Sequence, residues 1–248
     1  MDDLKDLNTT QSEKKRKNRR PLIRPMFFFM FIAVLFLAYI SDYYKADDDV
    51  RQYLESTELV QVVDIKEGLL LDGPGTEYGF IFYPGGKVEY IAYLPMLHRL
   101  SLYGIDCFLV KMPLNLAVLN SGKASGILDS YAYDKWYIGG HSLGGSMSAL
   151  YAAGHKLDGL ILLASYAMRE VDERTLELYG SEDGVLNMDN RAYGDAFLPA
   201  GSVIEVIKGG NHAWFGNYGE QKGDGKATIT REAQQEYTVE RIREFIMQ

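Results

Sequence analysis

The sequence predicts an α/β domain with a mostly parallel, doubly wound sheet, preceded by one transmembrane helix. From residue 59 onwards, short apolar runs of strand length alternate with longer segments of helical periodicity. Such alternation implies right-handed crossovers and a sheet that helices cover on both faces. A composition of 47% hydrophobic and 24% charged residues is typical of one folded domain. Only the N-terminal region departs from this pattern.

The N-terminal region is typical of a membrane signal. Residues 1–25 form a basic tail with eight Lys or Arg against four Asp or Glu, and residues 26–44 begin with the uncharged block MFFFMFIAVLFLAYIS. This block is longer than the usual core of a signal peptide and shorter than a bilayer span of about 20 residues. We predict an uncleaved signal-anchor because no small-residue cleavage site is present. A cleaved signal peptide is the alternative, and a core helix is disfavoured because the block is not amphipathic.

The charge distribution around the block predicts the orientation of the chain. Basic residues precede the block and acidic residues follow it, so the N-terminus is expected in the cytoplasm. The main domain is then extracytoplasmic and attached to the cell membrane through residues 26–44. Residues 45–58 are interpreted as a linker, and residues 59–248 as the folded domain.

The predicted domain begins with a hairpin and continues in strand–helix alternation. Residues 59–65 and 68–71 form the hairpin, and the all-apolar run 79–83 is typical of a strand buried on both faces. Five further strands are predicted at 107–110, 136–138, 160–163, 176–179 and 203–207. Helices are predicted at 91–102, 114–131, 143–154 and 229–247, and the glycine-rich stretch 216–225 is interpreted as a surface loop.

Charge and cysteine content exclude several classes of function. The net charge of −8 becomes −12 once the basic tail is set aside, and an acidic domain does not bind nucleic acid. Cys107 is the single cysteine, so intrachain disulfides and multi-cysteine metal sites are excluded. Because Cys107 lies in an apolar run, we expect a buried, inert thiol.

Ser142 is the candidate nucleophile. It lies in the pattern Gly140-x-Ser142-x-Gly144, with an apolar strand before it and a helix of small residues after it. A nucleophilic serine needs a strained strand-to-helix turn that holds its hydroxyl clear of the sheet, and the two glycines allow that turn. The alternative is an ordinary turn with an N-capping serine.

A serine nucleophile needs a base and an orienting carboxylate. Of the four histidines, His212 follows the last predicted strand, where a doubly wound sheet places its active site. Asp183 follows the preceding strand and would lie at the same edge of the sheet. The rival carboxylates are Glu182, Asp189 and Asp195.

Backbone N–H groups must stabilise the oxyanion that forms during acyl transfer. Leu143, the residue after the nucleophile, supplies one donor. The loop Tyr83-Pro84-Gly85-Gly86-Lys87 is expected to supply the second, because glycines let the backbone approach a substrate. Gly86 is the preferred donor, with Lys87 as the alternative.

Together these motifs resemble the α/β-hydrolase superfamily, and most of all its small, single-domain, dienelactone-hydrolase-like branch. The resemblance covers roughly residues 59–248 and implies the α/β-hydrolase fold. It also implies Ser142 as nucleophile, His212 as base, Asp183 as its partner, and Gly86 with Leu143 as oxyanion donors. The chain departs from the pattern in having Pro84-Gly85 where His-Gly is usual, and a serine where dienelactone hydrolases use cysteine.

The sequence has no room for a large cap after the sixth strand, so the site is expected to be open. We predict pocket walls from Tyr166, Met168, Trp214 and Phe215, an apolar set that favours a small ester substrate. The predicted function is hydrolysis of carboxylic esters through an acyl-enzyme, with neither metal nor organic cofactor. An amidase, thioesterase or acyltransferase would use the same residues, and a catalytically silent binding module is the non-enzymatic alternative. The oligomeric state is left open.

Overall fold

The structure, a computed structural model, describes residues 23–248, so most of the predicted basic tail lies outside the described residues. The chain divides into two units, of which the second spans Asp42–Gln248. The first holds helix α1, Ile23–Ser41, whose apolar side chains from Met26 to Tyr39 are exposed. No helix in the described part of the chain is both long and apolar enough to cross a bilayer. The predicted membrane span stays a prediction.

The second unit is built on one eight-stranded sheet. Its strands are β1 Gln61–Ile65, β2 Gly68–Asp72, β3 Tyr78–Tyr83, β4 Ile105–Val110, β5 Lys135–His141, β6 Gly159–Leu163, β7 Thr175–Gly180 and β8 Val203–Ile207. Their order is β1-β2-β4-β3-β5-β6-β7-β8. The pairings β1–β2 and β2–β4 are antiparallel, and the other five are parallel. Every predicted strand is present, with ends that differ by up to three residues.

Four helices of the second unit lie in the connections between strands, and a fifth follows β8. They are α2 Leu94–Ser101, α3 Ala124–Leu128, α4 Leu143–Ala152, α5 Met188–Gly194 and α6 Arg231–Ile246. The helix predicted over 114–131 is wrong. Three short 3-10 turns replace most of it, because Leu114 and Asn115 adopt left-handed backbone conformations that break a helix. Helix α5 was not predicted at all.

The domain begins earlier than the sequence predicted. Residues 45–58, interpreted as a linker, belong to the compact unit and include a 3-10 helix, Asp48–Leu54. Val50 in this helix and Val60 after it are fully buried. Their burial removes apolar surface from water, and this favours packing of residues 45–58 against the domain.

Two apolar cores cover the two faces of the sheet. Along β3, Phe80 and Phe82 face the core beneath α2 and α6, whereas Ile81 and Tyr83 face the core beneath α3 and α4. Burial of each such side chain contributes about 1.5–3 kcal/mol. Cys107 is free and buried, as predicted, and burial raises the pKa of its thiol.

Candidate active site

Ser142 occupies a strained turn between β5 and α4. Its backbone angles, φ 52° and ψ −125°, lie in a region that costs a non-glycine residue about 1–3 kcal/mol. A Cβ on Gly140 would lie 2.5 Å from the Tyr83 carbonyl oxygen, and one on Gly144 would lie 2.2 Å from that of Pro84. Only glycines at both positions let the strand and helix approach closely enough for this turn.

Neighbouring strands and loops fix the backbone of this turn. The Ser142 N–H donates to the Leu163 carbonyl at 2.9 Å, at the end of β6. The Ser165 hydroxyl donates to the Ser142 carbonyl at 2.8 Å. These contacts hold the strained conformation, which isolated backbone would not keep.

The structure brings His212 and Asp183 together. Their Nδ1 and Oδ2 atoms are 2.8 Å apart, and both side chains are 1% exposed. The other oxygen, Oδ1, accepts the N–H groups of Val185 and Leu186 at 2.9 and 2.8 Å. Because the ionised carboxylate only accepts, His212 donates through Nδ1 and keeps a lone pair on Nε2. Among the described residues Nε2 has no hydrogen-bond partner.

The rival carboxylates bind elsewhere. Glu182 accepts a hydrogen bond from the Ser181 hydroxyl, and Asp195 pairs with Arg191. Asp189 lies in the first turn of α5. Asp183 is therefore the carboxylate that orients His212.

His141, the residue before Ser142, is buried beneath the site and turned away from the cavity. Its Nε2 lies 3.1 Å from the His212 carbonyl oxygen, which can only accept, so Nε2 carries a proton. Its Nδ1 then accepts the Tyr93 hydroxyl at 2.8 Å. Burial, followed by the neighbouring His212, lowers the pKa of His141 well below its usual value, so the ring is neutral. The His141 ring therefore supports the His212 backbone and does not act as a second base.

The backbone around Gly86 distinguishes between the two candidate oxyanion donors. The Lys87 N–H donates to the Asn115 carbonyl at 2.8 Å, so it does not point toward a substrate oxyanion. Within the described chain, the N–H groups of Gly86 and Leu143 have no such acceptor. A Cβ on Gly86 would lie 2.8 Å from the Leu143 side chain, so these two residues are neighbours. The geometry favours Gly86 and Leu143, with Lys87 excluded as a donor.

A cavity of about 320 Å³ opens beside Ser142 and His212. Tyr166 and Met168 line it, as the sequence predicted. The remaining walls are largely apolar and come from the start of α4, from the residues after β6 and from the segment after β7: Leu143, Ser146, Met147, Ala164, Ser165, Val185, Leu186 and Asn187. The segment after β7 leads into α5, where the Asn190 amide donates to the Tyr166 hydroxyl at 3.2 Å.

Trp214 and Phe215 do not line this cavity, which corrects the prediction. A 3-10 turn, Ala213–Phe215, directs the Phe215 ring into the core, 5.5 Å from the His141 ring centre. Trp214 lines separate grooves that include Ala227. Trp214 and Phe215 are close to His212 in sequence, but the 3-10 turn directs both side chains away from the cavity.

Asp224 is a site residue that the sequence analysis missed. It lies in the glycine-rich stretch interpreted as a surface loop, yet it is partly buried and braces both loops of the Asp183–His212 pair. Oδ1 accepts N–H groups of Gly184, His212 and Gly225, and Oδ2 accepts that of Ala213, at 2.8–3.2 Å. The flanking Gly223 and Gly225 were the available signal, since Gly-Asp-Gly is typical of a tight turn.

The described residues contain no group of three or more His, Cys, Asp or Glu side chains placed to hold a metal ion. The polar atoms of the site are instead a hydroxyl, an imidazole, a carboxylate and two backbone N–H groups. This set can abstract a proton, form a covalent bond to carbon and stabilise an oxyanion.

The family model of the alpha/beta hydrolase family matches residues 79–236, more than half of the sequence, and the chain belongs to that family. No curated protein matches it. Solved structures with the same fold include esterase 2 of Thermogutta terrifontis phosphoramylated by tabun. It is 14% identical, with a TM-score of 0.56, covering 78% of this chain and 97% of that one.

Two further solved structures share the fold. Carboxyl esterase 2 of the mycorrhizal fungus Tuber melanosporum is 11% identical, with a TM-score of 0.55 and coverage of 83% of this chain and 91% of that one. An alpha-beta serine hydrolase homologue of Coxiella burnetii is 15% identical, with a TM-score of 0.51 and coverage of 75% and 98%. At these identities the likeness is one of fold.

Proposed function

We propose that the protein is a serine hydrolase that cleaves carboxylic esters through an acyl-enzyme on Ser142. The observation that carries the proposal is the buried Asp183–His212 hydrogen bond of 2.8 Å beside the cavity that the strained Ser142 also lines. Membership of the alpha/beta hydrolase family supports it.

In the first half of the reaction, the Ser142 hydroxyl oxygen attacks the ester carbonyl carbon while His212 Nε2 takes the hydroxyl proton. The carbonyl oxygen becomes an oxyanion beside the N–H groups of Gly86 and Leu143. When the C–O bond to the alcohol breaks, His212 returns the proton to the leaving alcohol. Asp183 stabilises the imidazolium form and holds the ring through Nδ1.

In the second half, water replaces the alcohol. His212 takes a proton from the water, whose oxygen attacks the acyl carbon and forms a second oxyanion. The bond to Ser142 breaks, the serine oxygen regains the proton from His212, and the carboxylic acid leaves. No step needs a redox change, because bonds are only exchanged between acyl carbon and oxygen.

The cavity supports an uncharged acyl group as the substrate part bound beside Ser142. Leu143, Met147, Met168 and Leu186 supply apolar walls, and among the described residues no Asp, Glu, Lys or Arg side chain lines the cavity. The connection between β6 and β7 contains no helix, so nothing in that stretch forms a cap. We infer activity on soluble esters of short acyl chains, without a jump in rate when the substrate forms droplets.

The same proposal includes membrane attachment through residues 26–44, with the hydrolase domain outside the cell. Its support is the basic run before the apolar block and the acidic residues after it. Protease shaving of intact cells tests this topology: a digested domain and a protected N-terminus are expected. A protected domain would refute the outward placement, and spontaneous release of a fragment starting near residues 39–46 would favour a cleaved signal.

The test of the chemistry is a substrate screen. The full chain in detergent micelles is assayed on p-nitrophenyl esters of graded acyl length beside Ser142→Ala. Hydrolysis by the wild type and not by the variant supports the proposal. Matched amides and thioesters, assayed in the same way, establish which class of acyl compound the enzyme cleaves. Equal rates for both proteins would refute it. We assign the chain to the dienelactone-hydrolase-like branch on its motifs alone.

A further inference from the structure

The chain between α1 and the 3-10 helix Asp48–Leu54 is bound to the loop that carries the candidate oxyanion donor. We define this entry segment as residues 42–47. The Tyr44 N–H donates to the Lys87 carbonyl at 2.8 Å, and the Glu89 N–H donates to the Tyr44 carbonyl at 2.8 Å. These two bonds form a parallel bridge between Tyr44 and Val88. The Ala46 N–H adds a third contact, to Glu89 Oε2 at 2.9 Å.

The other end of the entry segment is bound to the loop after β8, which carries His212. The Asp47 N–H donates to the Asn217 carbonyl at 2.9 Å, and the Asp47 carboxylate pairs with Arg231. The Tyr44 hydroxyl accepts the Lys222 N–H at 3.0 Å. The entry segment therefore bridges the loop of the oxyanion donor and the loop of the base.

The bridge to Val88 fixes the direction of the Gly86 N–H. The Gly85 carbonyl and the Gly86 N–H belong to one planar peptide group and point in opposite directions. The Val88 N–H donates to the Gly85 carbonyl at 3.3 Å and thereby orients this group. Because Tyr44 binds the residues on either side of Val88, its backbone sets the position from which Val88 acts.

Lys87 adds a reason why the loop needs external support. Its φ of 59° is left-handed, a conformation that costs a non-glycine residue free energy and persists only where neighbours enforce it. Its N–H is held by the Asn115 carbonyl, and its own carbonyl is held by the Tyr44 N–H. Loss of the Tyr44 bond removes the contact that holds the Lys87 carbonyl.

The geometry points to residues 44–47 of the entry segment as a positioning strand that holds the Gly86 N–H where the oxyanion forms. This inference rests on the proposed function, because it assigns the entry segment a part in that reaction. Since the oxyanion is absent from the bound substrate and forms only when the carbonyl carbon is attacked, loss of the strand lowers kcat and leaves KM nearly unchanged. The entry segment thus has a part in the proposed catalysis, in addition to joining the domain to the proposed membrane anchor.

Two neighbouring proline substitutions in the full chain test the inference. Tyr44→Pro removes the N–H that binds Lys87. Tyr43→Pro introduces the same ring one residue earlier, where the N–H has no hydrogen bond among the described residues. We expect kcat to fall about 10-fold to 100-fold in Tyr44→Pro, below the loss for removal of a whole donor. In the Tyr43→Pro control it stays within about threefold of the wild type.

The wild type and Ser142→Ala are assayed alongside. Equal rates for these two proteins would mean that the proposed function is wrong, an outcome that is thereby distinguished from failure of this inference. A folded Tyr44→Pro protein with the kcat of Tyr43→Pro would overturn the inference, as would a rise in KM without a fall in kcat. If Tyr44→Pro does not unfold cooperatively, Glu89→Ala decides, because it removes the acceptor of the Ala46 N–H. A fall in kcat of at least about threefold supports the inference, and an unchanged kcat overturns it.

Discussion

Replacement of Asp224 by asparagine tests how the loops of the Asp183–His212 pair are held. The Asp224 carboxylate accepts four backbone N–H groups, which belong to Gly184, His212, Ala213 and Gly225. Asparagine keeps one oxygen, which can serve the three donors on the Oδ1 side. Its amide nitrogen then faces the Ala213 N–H, so one hydrogen bond is lost. The other three hydrogen bonds are then made to a neutral acceptor in place of a charged one.

The expected cost follows from these bonds. A backbone donor left without a partner costs about 1–3 kcal/mol, and a hydrogen bond to a charged group is about 1 kcal/mol stronger than a neutral one. Because Asp224 is half-buried, water offsets part of this, and we expect a loss of about 2–4 kcal/mol in the free energy of unfolding. For a chain of this size, Tm falls by about 5–15 °C. A shift of about 1 Å in His212 lowers kcat about 10-fold to 100-fold.

The measurements are urea unfolding, thermal unfolding and ester turnover of Asp224→Asn. Glu220→Gln is the matched control, because it neutralises an exposed carboxylate in the same loop and is expected to change neither stability nor kcat. An Asp224→Asn protein with the stability and kcat of the control would refute the reasoning, because the four hydrogen bonds would then contribute nothing to the site.

Three further results are expected. Ser142→Ala and His212→Ala each lower kcat by about 10⁴-fold or more, and the double variant loses little beyond either, because the two groups act as a unit; additive losses would contradict this. Gly86→Ala places a Cβ 2.8 Å from the end of the Leu143 side chain and 3.2 Å from its Cβ, so the two residues must move apart. We expect kcat to fall about 10-fold or more while KM changes little, because the Gly86 donor moves with the loop; a wild-type kcat would contradict this expectation. Burial raises the pKa of Glu177 from 4.5 to about 7, even though the Arg191 guanidinium lies 2.5 Å away and acts to lower it. The folded state therefore retains a proton that the unfolded state releases between these values. The wild type loses about 1–3 kcal/mol of stability relative to Glu177→Gln as pH rises through this window. Urea unfolding at pH 5 and pH 8 measures the difference, and a constant difference would contradict the assignment.

The sheet and the nucleophile turn could be predicted because their signals are local. Apolar runs mark buried strands, and the glycines at 140 and 144 are required by close backbone contacts that the structure contains. The positions of Asp183 and His212 followed from one topological fact: successive parallel strands end at the same edge of a sheet. The order of residues along the chain was sufficient to place Asp183 beside His212, because both residues follow the ends of neighbouring parallel strands.

The cavity walls could not be predicted because they depend on the paths of loops. Phe215 and Trp214 are close to His212 in sequence, but one 3-10 turn removes both from the cavity. Leu186 enters it from a segment that has no distinguishing sequence pattern. The contact between residues 42–47 and the oxyanion loop is equally invisible in sequence, since a single bridge at Tyr44 has no periodicity to detect.

Covalent labelling tests whether Ser142 is the nucleophile. The full chain is treated with a fluorophosphonate, a reagent that forms a stable bond to an activated serine, and the modified peptide is identified by mass spectrometry. We predict a single adduct on Ser142, slower labelling of His212→Ala and no adduct on Ser142→Ala. A folded wild type without an adduct, or labelling that persists in Ser142→Ala, would contradict it.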